Sequence, residues 1–147
     1  MIGPLAGMPV YQLGFVYEDL DRALERLGGD WQRFELGADA FRDVSYRGEP
    51  APVGLRLALA GSAPQLELIE PGEGPSVYRD WLDERGEGLQ HVTVQVDSVG
   101  EVVPAMEAAG YACVYSGSLG SGEFALFDTT AEIGVFVEAL KPPRSSR

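Results

Sequence analysis

The sequence predicts an α+β fold in which two βαβββ modules form one cleft-shaped mixed sheet with the helices outside. The chain has 147 residues, the size of a single domain that buries about two-thirds of its unfolded surface. A strand, a helix and three strand-like runs occur in the same order twice along the chain. One such unit cannot cover both faces of its own sheet, so we expect two units to pair around a cleft.

The first module is expected over about residues 10–71. It begins with a strand, and a helix follows because aspartates precede an apolar helical stripe that the paired glycines Gly28 and Gly29 end. The remaining strand-like runs cover about residues 32–46, with an interruption near Gly37, and about residues 53–60 and 65–70.

The second module is expected over about residues 89–140. Its first strand covers about residues 90–96, and Ser98 and Glu101 have the spacing of a capping box for the helix that follows. Pro104 lies inside that helix, where we expect it to bend the helix or shift its start. The strand-like runs then cover about residues 111–116, 123–128 and 134–140. A linker helix over about residues 76–86 joins the modules.

The charge balance indicates a small-molecule partner. There are 23 acidic and 11 basic residues, so the net charge is −12, which disfavours binding to nucleic acid and to anionic membranes. The chain contains no apolar run long enough to cross a membrane and no signal-peptide pattern. Cys113 is the single cysteine, which excludes an internal disulfide and fits the reducing cytoplasm, where we expect the protein.

The single histidine, His91, lies on a strand whose side chains alternate between polar and apolar. Alternation places His91, Thr93 and Gln95 on one face and the valines on the other. Similar alternation places polar groups at equivalent points of other strands, and a buried carboxylate among them requires a positive partner. The four side chains expected to meet in the cleft are Gln12, Glu67, His91 and Glu138.

Three segments resemble the vicinal oxygen chelate superfamily, whose members include glyoxalase I, methylmalonyl-CoA epimerase and the bleomycin resistance proteins. They are residues 65–71 (QLELIEP), 86–92 (GEGLQHV) and 135–138 (VFVE). They look most like the epimerase and glyoxalase branch. The similarity of order and spacing covers about residues 10–140.

The resemblance implies that His91, Glu67 and Glu138 are ligands of a divalent metal ion. The family usually has histidine where this chain has Gln12, and an amide oxygen can still coordinate such an ion. A divalent cation would neutralise the two carboxylates, and this ligand set suits Mn²⁺, Ni²⁺, Co²⁺, Fe²⁺ or Zn²⁺ without deciding among them. In the alternative arrangement, the two glutamates bond to Gln12, His91 or Arg56 in a polar pocket without metal.

The family chemistry implied is that of a metal-dependent isomerase, epimerase or lyase acting on a small carbonyl compound. A substrate oxygen is polarised, and the adjacent C–H loses its proton to Glu138 or Glu67. We expect Arg56 to bind a substrate carboxylate or enolate, an ion pair with a glutamate being the alternative. Further candidate substrate-binding residues are Thr93, Gln95 and Phe136.

A second function class stays open, namely a metal-free protein that binds and sequesters a small molecule such as an antibiotic. An acidic surface would attract a cationic drug, and Gln12 in place of histidine favours this class. The presence of Glu67, His91 and Glu138 favours the enzyme. A homodimer is expected in either case, because dimerisation is common in the family and protects sheet edges.

Overall fold

The computed structural model describes residues 2–144 and confirms the predicted fold class. Ten strands form one mixed sheet that curls into a half-barrel, in the order β2-β5-β6-β1-β7-β10-β9-β8-β3-β4. The strands are β1 (Gln12–Val16), β2 (Gln32–Leu36), β3 (Phe41–Tyr46), β4 (Glu49–Pro50), β5 (Leu55–Ala60), β6 (Gln65–Pro71), β7 (Gly88–Gln95), β8 (Cys113–Leu119), β9 (Gly122–Phe127) and β10 (Phe136–Lys141). The α-helices are α1 (Leu20–Leu27), α2 (Val77–Arg85), α3 (Val99–Ala108) and the short α4 (Thr130–Ile133).

Side-chain caps fix the starts of the three longer helices. The Oδ1 atom of Asp19 accepts a hydrogen bond from the backbone N–H of Arg22 at the start of α1, and Ser76 and Ser98 cap α2 and α3 in the same way. Pro104 remains inside α3. None of the helices formed by residues 2–144 is long and apolar enough to cross a membrane.

The run predicted over residues 32–46 breaks near Gly37, as expected, but counting it as one strand is wrong, because the two parts are separate strands with different partners. Strand β2 pairs with β5, whereas β3 pairs with β8 of the second module. A single 3-10 turn, Ala38–Ala40, separates them. Local residue pattern identifies a strand but not its pairing partner, which tertiary packing decides. The chain between β2 and β3 therefore links the two sides of the half-barrel.

The two faces of the sheet form separate hydrophobic cores. On the convex face, α1 packs through Leu20 and Leu24 against Leu68, and α3 packs through Met106 within the core of the second module. The concave face has its own core, which joins residues of both modules to Tyr78 and Trp81 of α2. The linker helix therefore contributes to the interior of the half-barrel.

Candidate functional site

The register of the central strands explains why the expected polar residues meet. Gly14 of β1 lies opposite Glu67 of β6 on one side and opposite His91 of β7 on the other. Glu138 of β10 lies opposite Thr93, two residues further along β7 than His91. The strands thus bring together all four side chains that the sequence placed in the cleft: Gln12, Glu67, His91 and Glu138.

The imidazole of His91 lies directly over the backbone of Gly14. His91 is completely buried, and a Cβ atom at position 14 would overlap the ring atoms Cε1 and Nε2. Any residue larger than glycine would therefore displace the ring or the strand. Gly14 is the position that makes room for His91 in the cleft.

A bulge in β7 supplies the residue that orients His91. Gly14 and Phe15 are consecutive on β1, but they lie opposite His91 and Leu89, so Gln90 is an extra residue in β7. The amide nitrogen of Gln90 donates to the backbone carbonyl of Val77 over 3.1 Å. Its amide oxygen therefore faces Nδ1 of His91, 2.9 Å away. Because that oxygen can only accept, Nδ1 carries a proton, and in the neutral imidazole Nε2 presents a lone pair.

Nε2 of His91 is the one buried side-chain nitrogen or oxygen in residues 2–144 that has no hydrogen-bond partner. It lies 3.3 Å from Oε1 of Glu67 and 3.8 Å from Oε1 of Glu138. A lone pair facing two carboxylates is unfavourable unless a cation, either a proton or a metal ion, lies between them.

Hydrogen bonds hold the remaining members of the cluster in place. The hydroxyl of Thr93 donates to Oε1 of Glu138 over 2.8 Å, and it lies 3.4 Å from the amide oxygen of Gln12. The amide nitrogen of Gln12 donates to Gln65 over 2.8 Å. The amide oxygen of Gln12 therefore points toward the carboxylate side of the cluster.

Burial and charge shift the pKa values of the two most buried members. Burial raises the pKa of Glu138, and the nearby Glu67 adds to this effect while His91 and Thr93 oppose it, so that the pKa rises from 4.5 to about 7. For His91, burial lowers the pKa, but the carboxylates of Glu138 and Glu67 outweigh burial and raise it above 6.5. In metal-free protein, each group therefore keeps its proton to a higher pH than it would in water.

The donor set is chemically compatible with a divalent metal ion, although its present spacing is not that of a bound ion. Within residues 2–144, no group of three or more His, Cys, Asp or Glu side chains is placed so that it could hold one without movement. Two ligands that share an ion lie roughly 3.0–3.5 Å apart when each is about 2.1 Å from it. The separation of 3.3 Å between His91 and Glu67 lies in this range, and that of 3.8 Å to Glu138 is slightly longer. The imidazole lone pair and the two carboxylate oxygens could thus hold an ion if they moved closer together, and the amide oxygen of Gln12, 3.4 Å from the hydroxyl of Thr93, is the candidate fourth ligand.

The other expected substrate-binding residues have different surroundings. Thr93 lies within the cluster, and Phe136 lies in the concave core against Trp81. Gln95 is exposed near the end of β7. Arg56 does not line the cleft, because its neighbours Leu55 and Leu57 on β5 occupy the concave face.

Arg56 instead belongs to an ion-pair network on the outer face. Its guanidinium contacts Asp21 at 2.9 Å, Glu70 at 3.3 Å and Glu35 at 3.5 Å. The expectation that Arg56 binds substrate in the cleft is therefore wrong for this structure. The ion pair with a glutamate, which the sequence left as the alternative, is what forms.

Two tyrosines at the cleft were missed by the sequence argument. Tyr78 of α2 and Tyr115 of β8 both line it, with ring centroids 5.4 Å apart. Burial raises the pKa of both phenols, and the charge of Glu138 raises them further. Both hydroxyls therefore remain neutral hydrogen-bond donors near the carboxylates. No sequence signal marks Tyr78, because only the packing of α2 brings it to the cleft.

Gln12, Glu67 and Glu138 form part of the wall of a cavity of about 790 Å³ inside the half-barrel, whereas the buried His91 is not part of its lining. That volume lies within the range of small-molecule sites in proteins. Both modules contribute to the wall, from Phe34 and Leu57 in the first to Phe124 and Leu140 in the second. The arrangement offers two carboxyl groups at a space of ligand size, and the imidazole nitrogen is in contact with them.

Comparison with known families gives a match over most of the chain. The profile of the Glyoxalase/Bleomycin resistance protein/Dioxygenase superfamily matches residues 11–126. No curated protein matches the chain.

Solved structures show the same fold at low sequence identity. Methylmalonyl-CoA epimerase from Mycobacterium tuberculosis is 24% identical with a TM-score of 0.67, and the match covers 98% of this chain and 94% of that one. A variant of Streptomyces coelicolor methylmalonyl-CoA epimerase in complex with 2-nitronate-propionyl-CoA is 19% identical with a TM-score of 0.67, covering 96% and 99%. A hypothetical protein from Bacillus halodurans is 19% identical with a TM-score of 0.63, covering 96% and 99%.

Proposed function

The chain belongs to the Glyoxalase/Bleomycin resistance protein/Dioxygenase superfamily, and we propose that it is a metal-dependent isomerase, epimerase or lyase that acts on a small carbonyl compound. The membership predicted from three short segments is thereby confirmed. Epimerases among the structural neighbours support an enzyme of this type.

The observation that carries the proposal is the buried, unpaired Nε2 atom of His91. Gln90 fixes the tautomer that presents its lone pair, and the Glu67 and Glu138 carboxylates face the same point. Neutral imidazole with its second nitrogen hydrogen-bonded is the usual form of a histidine ligand. We propose Gln12, Glu67, His91 and Glu138 as the residues that hold the ion.

A bound divalent ion would supply polarisation of a substrate carbonyl, which acidifies the adjacent C–H. The residues of the chain supply the proton transfer. Glu138 is the first candidate for the base, because its carboxylate is the more deeply buried of the two and lines the cavity; it would have to leave the ion, at least in part, to accept the proton. Thr93 holds one of its oxygens, and Glu67 is the second candidate. Tyr78 and Tyr115 are placed to donate a hydrogen bond to a substrate oxygen.

Solvent exchange tests this chemistry directly. We expect the metal-loaded protein to catalyse exchange with D₂O of the C–H next to the carbonyl of 2-hydroxypropiophenone, on the carbon that bears the hydroxyl group, measured by proton NMR. Glu138→Gln should slow the exchange by about 100-fold or more, while Glu25→Gln on the exposed surface of α1, the same chemical change, should leave it unaltered. Exchange that survives both metal removal and Glu138→Gln would contradict the proposal.

Metal-free binding and sequestration remains the second candidate, and one observation favours it. The raised pKa values of His91 and Glu138 allow a proton to neutralise the cluster in place of a metal ion. In that case we expect saturable ligand binding that metal removal leaves unchanged, with no solvent exchange.

A further inference from the structure

We propose that the group entering the cleft beside Glu67 and Glu138 is hydrophobic and uncharged, so that the substrate is a neutral carbonyl compound and not a free carboxylic acid. This inference deepens the proposed function and rests on it for the site of reaction. Three features of the cleft support it: the apolar wall, the sign of its charges and the nature of its hydrogen-bond donors.

The wall of the cavity is largely apolar on both sides. Strands β2, β5 and β6 contribute Phe34, Leu57 and Ile69, and strands β9 and β10 contribute Phe124 and Leu140. Phe124 stacks on Tyr115 with the ring centroids 5.6 Å apart. A hydrophobic group gains about 25 cal/mol for each Å² that it buries against such a wall. A charged group would lose its hydration there and gain little.

All the charged side chains that line the cavity within residues 2–144 are acidic, namely Glu67, Glu123 and Glu138. Lys141 is near the same region, but its Nζ atom lies 3.9 Å from Oε1 of Glu123 and is not part of the lining. Even with a divalent ion bound, Glu67 and Glu138 would balance its charge, and the pair of Lys141 with Glu123 adds no net positive charge. A substrate carboxylate inside the cleft therefore has no counter-charge left among these residues.

The basic residue of the wall strand β5 cannot supply that counter-charge. Arg56 points to the convex face because Leu55 and Leu57 point inward, and it is held there by Asp21 and Glu70. Turning the guanidinium inward would require a one-residue shift of β5 that exposes both leucines. The register of β5 thus places uncharged side chains on the wall of the cavity and keeps Arg56 outside it.

The polar groups of the lining suit a neutral oxygen atom. The phenols of Tyr78 and Tyr115 are buried next to each other, near the carboxylates, and the pair can present a hydroxyl donor to a carbonyl. Methylmalonyl-CoA, which is bound in the structure of one neighbouring epimerase, carries a free carboxylate. We therefore expect this chain to disfavour such a substrate.

A matched pair of probes tests the inference. Methyl benzoylformate and benzoylformate share one skeleton and the same vicinal oxygens, but only the second is charged. Isothermal titration is carried out on the full chain as purified and again after metal removal. In the metal-free protein, the ester should bind at least about tenfold more tightly than the acid. Equal affinity, tighter binding of the acid, or no binding of the ester up to its solubility limit would overturn the inference.

A charge-neutralising variant provides an independent check. Glu123 is about half-exposed at the rim, so Glu123→Gln should fold normally and should shift the affinity ratio toward the acid by about threefold or more. Glu25→Gln removes the same charge from the outer surface of α1 and should leave the ratio unchanged. A ratio that responds equally to both variants, or to neither, would count against selection by the cleft.

The two proposals fail separately. The probe affinities are measured on metal-free protein without turnover. If the protein prefers the ester but shows no solvent exchange, the proposed reaction is contradicted and the preference for an uncharged ligand is supported. If the protein catalyses solvent exchange but prefers the acid, the proposed reaction is supported and the preference for an uncharged ligand is contradicted.

Discussion

The contact between Gly14 and His91 shows how a single missing side chain shapes the site. The imidazole occupies the space where any other residue would place its Cβ atom, and the backbone on that side belongs to β1, which is paired on both edges. A strand held on both sides cannot move away at low cost.

Gly14→Ala should therefore displace the imidazole. We expect a loss of about 1–3 kcal/mol in the free energy of unfolding and at least a tenfold loss of metal affinity, measured by calorimetry. Gly100→Ala in α3 is the matched control, since a Cβ there meets only Ser98 Oγ at 3.9 Å and alanine favours helix. Unchanged metal affinity in Gly14→Ala would show that the ring position does not matter.

The titration of His91 and Glu138 predicts how stability depends on pH. In metal-free protein both pKa values are higher than in the unfolded chain, so the folded state binds more protons between about pH 5 and 8. The free energy of unfolding should fall as the pH rises through this window. The affinity for a metal ion should rise over the same window, because the ion replaces those protons.

Denaturant unfolding of metal-free protein at a series of pH values checks this dependence. Glu138→Gln removes one of the two groups and should flatten the slope, whereas Glu25→Gln should keep it. Stability that stays constant or rises over this window would contradict the assigned pKa shifts.

At the level of elements, the two faces of β5 have different roles, one in the cleft and one in an ion-pair network. Its inward residues line the cleft, and Arg56 serves the outer network with α1, β2 and β6. Exposed ion pairs contribute little to stability. Arg56→Gln should therefore lower the Tm by no more than about 4 °C and leave ligand and metal affinity unchanged. A large loss of ligand affinity in this variant would show that Arg56 does take part in ligand binding.

The sequence predicted the cluster because alternation along a strand fixes which side chains share a face. This rule suffices for Gln12, Glu67, His91 and Glu138, and applied to β5 it also predicts that Arg56 faces away from Leu55 and Leu57. The bulge at Gln90 breaks the alternation, so the partner that orients His91 could not be predicted from it. Residues 32–46 show the same limit, since strand pairing depends on contacts distant in sequence.

At the scale of the whole molecule, the site exists only because two modules meet. Antiparallel pairing of β1 with β7 joins them, and Gln12 and Glu67 come from one module while His91 and Glu138 come from the other. The turn between β2 and β3 links the two sides of the half-barrel. A ligand that bridges the modules should therefore stabilise the entire fold.

Metal binding should appear as such a stabilisation. An ion present at about 100 times its Kd adds about 2.7 kcal/mol to the free energy of unfolding, which corresponds to a rise in Tm of roughly 5–10 °C for a chain of this length. Calorimetric scans with and without added Mn²⁺, Co²⁺, Ni²⁺ or Zn²⁺ measure the shift. His91→Asn should abolish it, and a shift of equal size in that variant would assign the ion to another place.

The most direct test of the central claim is the metal content of protein purified without chelator, measured by plasma mass spectrometry. We expect about one divalent ion for each chain, its loss on treatment with chelator, its return on reconstitution, and its absence from Glu138→Gln. Glu25→Gln should retain the full content. Protein that contains no divalent ion and takes up none on reconstitution would contradict the metal-dependent mechanism.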